Sequence, residues 1–156
     1  MDELDSVIVR RLQADGRSTN RELAAEIGVA PSTSLERTRR LHDSGVITGV
    51  HAEVSLPALG RKIEALIAVQ LRPQSRAVID GFRAFVIELP ETLALYITAG
   101  DNDVLLHVAV QGTAQLQEFV LDRLTKHKEI ASLTTSVIYQ HVRNHVLIPL
   151  AEPVEP

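Results

Sequence analysis

Residues 28–47 read GVAPSTSLERTRRLHDSGVI. Pro31 suits the first position of a helix, where its missing N–H would have no intrahelical partner anyway. The spacing predicts a helix from Pro31 to about His42 or Asp43, ended by Gly45. On such a helix Leu35, Thr38 and Leu41 share one side. Thr33, Glu36, Arg37 and Arg40 share the other, with Ser32 and Arg39 on its flanks. Working backwards, Gly28 closes a shorter helix that carries Leu23, Ala24 and Ile27 inward. Its start is marked by Thr19-Asn20-Arg21-Glu22, which has the form of a capping box. Before that, Leu4, Val7, Ile8 and Leu12 line one face of a first helix that closes at Gly16. Three helices, two of them joined by a short glycine-containing turn, make a helix-turn-helix pattern.

A helix entering a major groove needs short donors near its N-terminal end and guanidinium groups further along. Ser32, Thr33, Arg37 and Arg40 supply both, and Arg39 is left for phosphate or solvent. A merely solvated face would also carry charge; the three-helix context and the short glycine turn weigh toward the DNA reading without removing the other. Ala30 stands at the N-cap, where serine or aspartate would cap better. The whole-chain charge of −4 and pI near 5.8 hide this concentration of cations. Residues 1–50 hold seven Lys/Arg against eight Asp/Glu, so the helical region is nearly neutral while its cations cluster. Weak binding by one copy, strengthened by pairing two copies on one DNA, is the expected consequence.

With 156 residues, 45% of them hydrophobic but only 3% aromatic, the chain suits one or two small domains with aliphatic cores. The absence of cysteine excludes a disulfide framework and thiolate metal sites. The acidic start MDELDSVIVRRL lacks the form of a secretory signal, and no apolar run is long enough to span a membrane, so the cytoplasm is the expected location.

After Val46 the period changes. Val46 to Val54 reads as extended, and residues 51–61 as an extended linker containing Leu56-Pro57-Ala58-Leu59-Gly60. Ile63 to Leu71 alternates as a strand, and Val78, Ile79, Phe82 and Val86 return to helical spacing. Strands are predicted at Leu93–Thr98 and Val104–Val110, a helix through Leu116, Phe119, Val120 and Leu124, and a strand through Leu133–Tyr139. A last strand is expected at Val146–Leu150, and the tail 151–156 is expected to be disordered. The fold class is therefore α+β: a three-helix, winged-helix-like domain over 1–50 joined to a βαββαβ ferredoxin-like domain over 62–150. Leu66, Ala68, Ala94 and Ala109 enrich the sheet face away from the helices, which points to a second subunit as its cover.

Ala99-Gly100-Asp101-Asn102-Asp103 joins two apolar strands with residues typical of hairpin turns. The same residues suit a small ligand: backbone N–H groups for a carboxylate, and Asp101 or Asp103 for an ammonium. An amino acid carries both groups.

LDSVIVRRLQADGRSTNRELAAEIGV, LERTRRLHDSGVITG, AGDNDVLLHVAV and TTSVIYQHVRN, in that order, resemble the Lrp/AsnC family, the feast/famine transcriptional regulators, over nearly the whole chain. The resemblance implies a DNA-binding helix-turn-helix and a C-terminal RAM domain. RAM domains form homodimers through their sheets, dimers assemble into tetramers or octamers, and amino-acid effectors bind near the glycine-aspartate loop. It carries Ser32, Thr33, Ser34, Arg37 and Arg40 onto the recognition helix for double-stranded DNA. Gly100, Asp101 and Asp103 fall on the effector loop, and Thr134, Thr135 and Ser136 on the strand that completes the pocket. Lys128-Glu129-Ile130 departs from the Pro-Gly turn typical of the family. No cofactor, metal or catalytic residue is expected. Siroheme decarboxylases resemble the same scaffold, and His107, His127, His141 and His145 would be the candidates for such chemistry. A ligand-sensing module that does not bind DNA is the third possibility.

Overall fold

The computed structural model describes residues 1–150, so the tail 151–156 lies outside the described residues. The chain forms two compact units. One comprises Met1–Glu53 with the described residues from Val142, and the other comprises Val54–His141.

The first unit holds α1 (Glu3–Ala14), α2 (Asn20–Ile27) and α3 (Pro31–Asp43). The start of α1 carries a capping box that the sequence patterns did not bring out. Asp5 N–H donates to the Asp2 carboxylate at 2.8 Å, and Asp2 N–H donates to Asp5 at 3.3 Å. At α2 the expected box forms between Thr19 and Glu22. Gly28 then ends α2 with φ of 69°, a left-handed conformation that favours glycine. Ile8, Leu23 and Leu41, one from each helix, make the core, with Val9, Leu12, Ile27 and Ile47 packed around them.

The expected strand at Val146–Leu150 does not form; the segment has no regular structure. A strand needs a neighbouring backbone, and here a side chain takes that place. The Gln13 amide donates to Leu147 C=O at 2.9 Å and accepts from Leu147 N–H at 2.9 Å.

The second unit follows the βαββαβ order: β1 (Ile63–Leu71), α4 (Arg76–Ile87), β2 (Thr92–Ile97), β3 (Val104–Val110), α5 (Thr113–Glu118) and β4 (Ile130–Ile138). A π-helical segment, Phe119–Leu124, continues α5. The four strands are antiparallel in the order β2-β3-β1-β4. On one sheet face Ala65, Ile67 and Val69 of β1 stand opposite Val108, Leu106 and Val104 of β3, all buried, with Leu71 and Val110 buried beyond them. Phe82 and Val86 of α4 and Leu116, Phe119 and Leu124 cover that face. Each such large side chain contributes about 1.5–3 kcal/mol on burial. The other face carries Leu66 and Tyr96, exposed at 36% and 53%, with the pair His107–Glu64 between them.

Asp103 ties the end of β1 to the loop before β3. Its carboxylate accepts from Leu71 N–H at 2.7 Å and from the Gln74 amide, with Arg72 at 3.7 Å. Asp103 is 6% exposed. The backbone donor at Leu71, reinforced by Gln74 and Arg72, holds its pKa below the ordinary aspartate value of 3.8.

Asp103→Ala is expected to cost about 1–3 kcal/mol in chemical denaturation, because the Leu71 N–H is left without its acceptor. The folded pKa lies below the unfolded one, so this stability is complete above pH 3.8 and is lost as pH falls through the lower folded value. Asp103→Asn should flatten that acid limb. In the first unit, Gln13→Ala should speed hydrogen exchange at the Leu147 amide while leaving exchange in α2 unchanged.

Candidate functional site

The buried stripe of α3 runs through Ser34 and Leu41, with Arg37 and Thr38 partly buried between them. This turns the helix relative to the sequence-based expectation. Leu35 was assigned to the core but is 50% exposed, whereas Ser34 is fully buried. The expectation that Ser34 reads DNA is therefore corrected: its side chain faces the helical core. Its Oγ has no hydrogen-bond partner among the described residues, and its C=O accepts from the Thr38 hydroxyl at 2.9 Å.

Arg37 is corrected in the same way. Its Nη1 lies 2.6 Å from Asp2 Oδ2 and 2.7 Å from Asp5 Oδ1, and its side chain is 21% exposed. These two carboxylates raise the Arg37 pKa, Asp2 first and Asp5 second. Asp2 is pushed below the carboxylate range by its bond from the Asp5 N–H and then by Arg37. An arginine held this way fixes α3 against α1. Arg40 is 3.5 Å from Asp5 but has a 63% exposed side chain, so it remains outward.

The outward face then consists of Ser32, Thr33, Leu35, Glu36, Arg39 and Arg40, all exposed. Sequence reasoning missed Leu35, because a leucine outranked a serine as core candidate. The available signal was the i, i+3, i+4, i+7 spacing from Ser34 through Arg37 and Thr38 to Leu41. No side chain caps α3 at Ala30. The N–H groups of Ser32 and Thr33 thus remain at an uncapped helix start, a geometry that favours phosphate.

In the second unit, the loop after β2 is shaped from within. Thr98 N–H donates to Asp103 C=O at 3.0 Å, and the Thr98 hydroxyl donates to Asn102 C=O at 2.6 Å. Gly100 has φ of 140°, within the region that favours glycine. The Gln70 amide donates to Asp101 C=O and its oxygen accepts from the Ser132 hydroxyl at 2.9 Å, linking the loop to β4. Gln70 and Gln74 were not among the sequence-based candidates; amides carry no charge signal.

Thr134 and Ser136 pair with Ala68 and Leu66 and share their open sheet face. Thr135 pairs with Ile67 on the helix-covered face, so it is separated from the other two. Gly100 and Asp101 are exposed, Asn102 is half-buried, and the Asp103 carboxylate is already engaged inside the fold. Beside Asp103, Gln74, Arg76, Ile79, Asp80 and Ile97 border a cleft of 370 Å³.

The four histidines do not converge. His107 and His141 flank Glu64, with nitrogen–oxygen distances of 2.9 and 3.9 Å, while His127 packs on Phe85 and His145 sits 3.6 Å from Glu53 in the first unit. Among the described residues no group of three His, Asp or Glu is arranged to hold a metal ion, and no helix is long and apolar enough to cross a membrane.

Comparison with known proteins agrees with both units. Residues 1–42 match the AsnC-type helix-turn-helix domain and residues 64–148 the Lrp/AsnC ligand binding domain. The HTH-type transcriptional regulator AldR of Mycolicibacterium smegmatis is 36% identical over 143 residues, covering 92% of this chain and 84% of that protein. The leucine-responsive regulatory protein of Rhizobium meliloti is 33% identical, covering 92% of each chain. Among solved structures, a transcriptional regulator of Neisseria meningitidis in complex with L-Met superposes with a TM-score of 0.85 at 28% identity, covering 92% of this chain and 93% of that one. With both units matched and relatives above 30% identity along 92% of its length, the chain belongs to the Lrp/AsnC family of helix-turn-helix transcriptional regulators.

Proposed function

We propose that this regulator reads the major groove of double-stranded DNA with the outward face of α3. The observation that carries the proposal is the division of its arginines: Arg37 is consumed by Asp2 and Asp5, whereas Arg39 and Arg40 project outward beside Ser32, Thr33, Leu35 and Glu36. Arg39 takes a guanine edge or a phosphate, Glu36 accepts from a cytosine amino group, and Leu35 meets a thymine methyl. The uncapped start of α3 seats a backbone phosphate. Arg37 is a positioning residue that sets the rotation of this face.

The second unit binds a small effector, and an amino acid is the class we favour, in keeping with the L-Met complex of the Neisseria regulator. Gly100, Asp101 and Asn102 offer backbone and carboxylate groups, while Thr134 and Ser136 lie on the sheet face that Gln70 ties to the same loop. Pairing of two copies through that open face, and higher assembly from such dimers, would let effector occupancy alter the spacing of paired recognition helices. Coupling of this kind requires that the effector bind the alternative assemblies with different affinity.

Two alanine substitutions separate the roles on α3. Arg39→Ala should weaken operator binding about tenfold, the loss of one base contact, and leave the melting temperature unchanged. Arg37→Ala should lower the melting temperature, since Asp5, with a 7% exposed side chain, loses its main counter-charge. Unchanged operator affinity in the Arg39 variant would refute the assigned face. For the effector, calorimetry across the amino acids, L-Met included, should reveal a ligand whose binding weakens in Asp101→Ala and Ser136→Ala; no heat from any of them refutes the assignment.

A further inference from the structure

The helix-covered side of the second unit carries a feature that neither DNA reading nor the effector loop uses. A cleft of 440 Å³ opens where the π-helical segment passes into the turn at His127-Lys128-Glu129. Its floor is aromatic, in a chain with only three phenylalanines and two tyrosines. The Phe85 and His127 ring centroids lie 4.2 Å apart, and His127 meets the buried Phe82 edge-on at 5.7 Å. Glu129 Oε2, 3.1 Å from His127 Nδ1, holds the imidazole in place.

Its rim mixes the cations Arg123, Lys126 and Lys128 with the carboxylates Asp122 and Glu129. Lys126 is shared with Asp122 at 3.6 Å, an exposed pair of little strength. Arg123 and Lys128, both exposed, form no ion pair among the described residues. Arg123 and Lys128 thus stand beside an aromatic floor in a chain of net charge −4, which repels anions at long range, although Lys128 also acts on the neighbouring Glu129 carboxylate. Single π-helical turns within helices, moreover, recur at functional sites.

We propose that this cleft binds a nucleoside phosphate, its base stacked on Phe85 beside His127 and its phosphate held between Arg123 and Lys128. Stacking on an aromatic side chain and charge-assisted contacts to phosphate act together, so each half alone binds weakly. The site is independent of α3 and of the glycine-aspartate loop, and its test does not depend on DNA or effector binding.

The test is calorimetry of the full chain with AMP, adenosine and inorganic phosphate. AMP should bind one per chain, at least about tenfold more tightly than adenosine or phosphate. The double variant Arg123→Gln, Lys128→Gln should weaken AMP about tenfold or more with an unchanged melting temperature. In the unmodified chain, AMP should slow hydrogen exchange at residues 122–130. Equal affinity for AMP and inorganic phosphate, AMP binding indifferent to the double substitution, or protection that falls elsewhere would each overturn the proposal.

Discussion

One guanidinium between two carboxylates organises the helical unit. Asp2 and Asp5 cap each other's backbone at the start of α1, which brings two negative charges together in a partly buried place. Without a cation there, their mutual repulsion and loss of solvent would work against the cap. Arg37 enters from the middle of α3, with Nη1 2.6 and 2.7 Å from the two. The same contact that neutralises the cap pins the rotation of α3, so Leu41 and Ser34 turn inward and Leu35 and Arg39 turn outward. Which residues of α3 face outward therefore follows from an interaction at the opposite side of the helix.

The sheet unit shows a parallel device. Asp103 spends its carboxylate on Leu71, Gln74 and Arg72, all around the end of β1, and so fixes the loop from its buried side. Asp101, two residues earlier, keeps its side chain in solvent while its C=O is taken by Gln70. Two aspartates in one short turn thus divide into a structural and an exposed member. Residue type alone does not distinguish them.

Much of the architecture was legible because it rests on local patterns. The Thr19–Glu22 box, Pro31 at a helix start and the alternation of Ile63 to Leu71 each express short-range rules, and each appears at its expected place. What failed to show in the sequence depends on partners distant along the chain. Arg37 looked like a surface cation because Asp2 and Asp5 are more than thirty positions away. Leu35 looked like core because apolarity is a stronger cue than the position of a serine with no partner for its hydroxyl. Val146–Leu150 looked like a strand because its composition is right; the hydrogen bonds of Leu147, though, are met by a glutamine side chain.

The π-helical segment Phe119–Leu124 bears on how relatives should be aligned. Such a turn accommodates more residues than an α-helical one between the same ends. Closing it by removing one residue would keep Phe119 and Leu124 on the same core while re-aiming the side chains between them. Arg123, inside the segment, would then point elsewhere though its identity were unchanged. Shared cations in aligned columns are consequently a poor guide to which family members have the same surface; the length of this one turn is the better marker.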